Sequence, residues 1–104
     1  MKLWLDDVRS IPDASWLLAV TAPQCIKYLQ TVPFDLLSLD HDLGNDENGT
    51  GYDVVKWMEE ETYTNPNFIP PTTIEIHSAN PVGRANMLAG IESIRKIVAN
   101  RNKS

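Results

Sequence analysis

Apolar residues in this chain come in short runs that stop at charge. Leu3-Trp4-Leu5 ends in Asp6-Asp7, Leu36-Leu37-Ser38-Leu39 ends in Asp40-His41-Asp42, and Thr73-Ile74-Glu75-Ile76 ends in His77-Ser78. Near-continuous apolar runs of this length, without strict alternation, mark the covered strands of a parallel sheet. Strands are therefore expected at about 2–6, 16–20, 35–40 and 72–77, the second carried by Trp16-Leu17-Leu18-Ala19-Val20. Between them the apolar period lengthens. Thr21 as a cap, Pro23 in a first turn and Ile26, Leu29 and Val32 at helical spacing predict a helix that Pro33 ends. Val54, Val55 and Met58 predict a second helix over about 52–61. Met87, Leu88, Ile91, Ile94 and Val98 predict a long third helix that starts at Asn80-Pro81, with Arg95, Lys96 and Arg101 suited to its carboxyl end.

Strands that alternate with helices predict a mostly parallel sheet, because parallel neighbours need a crossover connection. Two departures are visible. Residues 7–15 leave little room for a helix between the first two strands, and residues 44–51, rich in glycine and asparagine, form a long polar loop, read first as a solvated turn and second as a lid over the site. Glu75, inside an otherwise apolar strand, suits a sheet edge, and such an edge could pair two copies into a homodimer.

Composition narrows the function classes. A chain of 104 residues fits one domain, expected to span 1–104. No apolar run reaches the length of a membrane span or a signal peptide, so a cytoplasmic location is expected. Cys25 is the only cysteine, which excludes an internal disulfide and leaves it as a small core residue. A net charge of −5 argues against binding to duplex nucleic acid through its backbone. The expected ligand is small.

The chemistry is expected at the carboxyl ends of the strands, where open α/β sheets bind ligands. Asp6, Asp7, Asp40 and Asp42 would meet there. Two like charges about 4 Å apart repel by roughly 4 kcal/mol at an effective dielectric near 20. A hard divalent cation, Mg²⁺ or Mn²⁺, would relieve that repulsion. Alternation places Asp40 and Asp42 on one side if the strand persists. His41 and His77, each beside acids, are candidates for moving a proton or for binding metal, although His41 could equally pack beneath a helix. Asn80-Pro81 is a helix-start signature, and its free amides, with Ser78, Asn80 and Arg84, are candidates for holding a phosphate. Asp46, Glu47 and Asn48 do not form a calcium loop, because Trp57 stands where the bidentate glutamate would be needed.

In its order of elements, in Asp6-Asp7 after the first strand, Asp40 after the third and Ser78-Ala79 after the fourth, the chain resembles the response-regulator receiver fold. A fifth strand with a phosphate-binding lysine is not expected. The strings Asp40-His41-Asp42-Leu43-Gly44 and His77-Ser78-Ala79-Asn80-Pro81-Val82-Gly83-Arg84 are more similar to a reduced family, the cyclic-phosphate-processing receiver domains. That resemblance implies a receiver or flavodoxin-like three-layer sandwich with about four strands in the order 2-1-3-4. It also implies phosphoester chemistry on a cyclic phosphate or cyclic nucleotide.

Three functions follow as expectations. The first is a metal-dependent phosphoesterase, with the four aspartates on the metal, His77 or His41 moving protons, and Asp40 as an optional nucleophile. The second is a phospho-acceptor that receives a phosphoryl group on Asp40. The third is a binding module for a nucleotide or a protein that does no chemistry.

Overall fold

The computed structural model describes residues 1–102. Four strands, β1 (Lys2–Leu5), β2 (Trp16–Ala19), β3 (Leu36–Leu39) and β4 (Thr73–Ile76), form one sheet in the order β2-β1-β3-β4, parallel throughout. The chain adopts the expected receiver-like α/β topology. Each strand is shorter than its apolar run suggests, and the ladder leaves the next residue at the rim: the Asp6 amide donates to Ala19 O, that of Asp40 to Leu5 O and that of His77 to Leu39 O. The last ladder bonds thus fix the backbone positions of Asp6, Asp40 and His77 relative to one another.

Helix α1 (Ala22–Thr31) starts at Thr21, whose hydroxyl accepts from the Gln24 amide, and Pro23 lies in its first turn. Helix α2 (Gly51–Thr64) starts in a capping box formed by Thr50 and Asp53, and it runs three residues past the expected end. Its carboxyl terminus is held from outside. Arg101 of α3 (Pro81–Asn102) donates to the carbonyls of Thr62, Asn65 and Phe68, so the last turn of α2 is fixed by a residue almost forty positions away.

Inward-pointing Leu3, Leu5, Leu37, Leu39 and Ala19 meet Cys25, Leu29, Val54, Val55, Met58, Met87, Ile91 and Ile94, all buried. Burial pushes the Cys25 thiol up to about 12, so it is a core residue without thiolate character. Helices α1, α2 and α3 lie side by side over this one face, while residues 6–15 contain bends and a turn but no helix. On the opposite face Trp4, Trp16 and Leu36 are half-buried and Leu18 is exposed. Apolar runs without alternation suggested two covered faces; here the second set of apolar positions is shielded by Trp4 packing edge-on to Trp16, 5.4 Å between ring centroids, with the Lys2 ammonium over Trp16.

β4 is an edge strand, and Glu75 is exposed on it as expected. The carbonyl of Ile76, which the register turns away from β3, accepts from the Arg84 guanidinium at 2.9 Å. A charged side chain laid on the end of an edge in this way blunts it against pairing. No helix among the described residues is long and apolar enough to cross a membrane.

Candidate functional site

Three carboxylates converge at the strand ends. Asp6, Asp7 and Asp40 each offer an oxygen, and these oxygens lie within 4.8 Å of one another. Asp6 is buried, Asp40 half-buried and Asp7 exposed, so the group opens outward from the sheet. Asp6 follows β1 directly, and its Oδ1 accepts from the amides of Val8 and Arg9, both at 2.9 Å. Burial would raise its pKa, but the amides of Arg9 and Val8, then His77, more than offset this and hold the carboxyl below its usual range. Asp40 differs in sign. Its Oδ1 accepts from the His41 amide, at 2.8 Å, and burial together with the negative charge of Asp6 pushes its pKa up.

The backbone carbonyl of Asp40 is in close contact with α2. A Cβ added at Gly51 would sit 1.9 Å from that oxygen and 2.8 Å from Met87 Cε. Only a glycine permits the first residue of α2 to approach β3 this closely. The loop before it is more ordered than a plain polar loop: Asp46–Asn48 form a short 3-10 turn, and Asn48 Nδ2 donates to the carbonyl of buried Leu43.

Asp42 does not join the acidic group. The strand ends at Leu39, so alternation stops before Asp42, which instead bridges antiparallel to Thr50 and stays exposed. Its Oδ1 lies 3.0 Å from His41 Nδ1, and Asn80 Nδ2 donates to its Oδ2 at 3.3 Å. The His41 hydrogen bond holds the Asp42 carboxyl below its usual range. His41 packs against α3 where Gly83 leaves room; a Cβ there would lie 2.4 Å from the ring.

His77 sits on the other side of the group. Its Nε2 is 3.0 Å from Asp6 Oδ2, its Nδ1 is 2.7 Å from Ser38 Oγ, and its ring stacks on Trp4 with centroids 3.9 Å apart and planes 3° from parallel. Burial lowers its pKa, opposed by Asp6 and Asp40.

The residues expected to hold phosphate are each engaged within the protein. Ser78 Oγ accepts from the Asn80 amide at 3.1 Å, and Asn80 Oδ1 caps α3 by accepting from the Gly83 amide at 3.0 Å. Arg84 is turned to the β4 edge. The cation that does reach the acids is Arg9, which donates from its guanidinium to the His77 carbonyl and whose charge acts on both Asp40 and His77. Arg9, Ser38 and Trp4 were not singled out in the sequence. Ser38 carried a faint signal as the one hydroxyl in an apolar strand, whereas Trp4 and Arg9 carried none.

A parallel four-stranded sheet in receiver order, with aspartates after its first and third strands, defines a receiver-type domain. The family model for the cyclic-phosphate processing receiver domain matches residues 1–93, and the chain belongs to that family. No curated protein and no solved structure matches significantly.

Proposed function

We propose that this domain is a metal-dependent phosphoesterase acting on a cyclic phosphate or cyclic nucleotide. The observation that carries the reading is the convergence of Asp6, Asp7 and Asp40 oxygens within 4.8 Å, with the His77 ring 3.0 Å from Asp6, in a member of this family. Three carboxylates so close together fit a hard divalent ion, Mg²⁺ or Mn²⁺, which supplies Lewis-acid polarisation of a phosphoryl oxygen or a more acidic bound water. Asp6 and Asp7 would hold the ion from β1 and Asp40 from β3. Asp42, on the far side of Asp40 in sequence, stands with His41 and Asn80 instead. That arrangement suits a proton relay: the Asp42 carboxylate orients the imidazole of His41, which can then protonate a leaving oxygen. Arg9 adds a positive charge beside the acids for a phosphate oxygen.

The test is turnover of a panel of cyclic nucleotides and 2′,3′-cyclic phosphate ends with Mg²⁺ or Mn²⁺, followed by ³¹P NMR. Metal-dependent ring opening that is lost in Asp40→Asn supports the reading, and inactivity across the panel counts against it. Membership of a receiver family favours one other reading, phosphoryl transfer to half-buried Asp40 itself. Intact mass after treatment with a small phosphodonor and Mg²⁺ separates the two, since a lasting adduct on Asp40 belongs only to the second.

A further inference from the structure

Both ring nitrogens of His77 are committed inside the protein. A carboxylate can only accept, so the 3.0 Å contact between His77 Nε2 and Asp6 Oδ2 requires the hydrogen on Nε2. In a neutral ring Nδ1 is then an acceptor, and the Ser38 hydroxyl, 2.7 Å away, is the donor that satisfies it. Ser38 is 2 % exposed and pairs in register with Trp4 of β1, the residue on which the imidazole stacks. Two hydrogen bonds and a ring face thus fix position, tautomer and plane together. A histidine that exchanges protons with a substrate needs a nitrogen free to reach it.

We infer that His77 is a positioning residue: the Ser38 hydroxyl and the Trp4 ring lock it as the Nε2–H tautomer, and that N–H aims the Asp6 carboxylate at Asp7 and Asp40. The assignment rests on the cation-binding reading above and deepens it, because it separates the two histidines. His41, whose contacts are with exposed Asp42 and Asn80, is left to move protons, while His77 supports a cation ligand. Partners in this outer layer set ligand direction, and their loss typically costs 10–100-fold in metal affinity.

Two measurements on the full chain decide it. Long-range ¹H–¹⁵N spectra at pH 7 without metal should show His77 as the Nε2–H tautomer, and Ser38→Ala should release that preference. Mn²⁺ titration followed by electron paramagnetic resonance should show affinity lowered by about 10–100-fold in His77→Ala and restored to within a few-fold in His77→Gln, whose amide N–H can still donate to Asp6 but cannot shuttle a proton. An Nδ1–H tautomer, a ring protonated on both nitrogens, or Mn²⁺ affinity unchanged in His77→Ala would overturn the assignment. Absence of Mn²⁺ binding in the unaltered chain would instead sink the cation site, and the tautomer spectrum would still report whether the lock on Asp6 exists.

Discussion

Asp6 and Asp40 end neighbouring strands, and yet the protein treats their charges differently. Amides and an imidazole surround Asp6, whereas Asp40 has one amide and a negative neighbour. The consequences for stability without metal follow by linkage. Asp40 has a raised folded-state pKa, so its ionised form weakens the fold at neutral pH, and that penalty fades as pH falls through the raised value toward the unfolded value near 3.9. Asp6 has a lowered one, so its contribution is present above the unfolded value and is lost below it, as pH falls through the folded pKa. In EDTA at pH 7, thermal unfolding should therefore give a higher Tm for Asp40→Asn than for the unaltered chain and a lower one for Asp6→Asn. The Asp40→Asn gain should vanish below about pH 4. The acids were legible in sequence because each follows an apolar run. The surroundings that set their charge were not, since Ser38, Trp4 and Arg9 reach His77 and Asp6 only through strand register and a turn.

At the level of elements, the site depends on where α2 and α3 begin. Gly51 lets α2 touch the Asp40 backbone, and any added Cβ meets a carbonyl that the sheet holds fixed. Gly51→Ala should destabilise the domain by about 2–3 kcal/mol in urea unfolding, as overpacked cores do. Gly83→Ala meets the His41 ring, a side chain that can rotate away, instead of backbone, so its cost should fall nearer 1 kcal/mol, with a changed His41 environment in NMR as the larger effect. Removing the clamp by Arg101→Ala should cost about 1–2 kcal/mol, because the carbonyls of Thr62, Asn65 and Phe68 lose a charged donor at a partly exposed position. All three helices and all four strands were legible from apolar period and caps. The far end of α2 was not, because what holds it is Arg101, distant in sequence.

For the whole molecule, one helical layer covers one face of a small parallel sheet, and two tryptophans shield part of the other. The apolar runs are unbroken because Trp4, Leu18 and Leu36 interleave with the buried positions, on a face that no helix among the described residues covers. A domain of this size has a modest core, so an ion that ties β1 to β3 should register globally. At a Mn²⁺ concentration about 100 times its Kd, linkage adds about 2.7 kcal/mol, or roughly 10 °C or more in Tm for a chain near 100 residues. That shift should be absent in Asp40→Asn.

A single cation site serving a phosphoester, at the ends of β1 and β3, is the proposal to be tested. A crystal soaked with Mn²⁺ and inorganic phosphate addresses it most directly, through anomalous scattering. The predicted result is one ion bound by Asp6, Asp7 and Asp40 with a phosphate oxygen in its coordination sphere. An ion bound elsewhere, or a phosphate held away from these three aspartates, would contradict it.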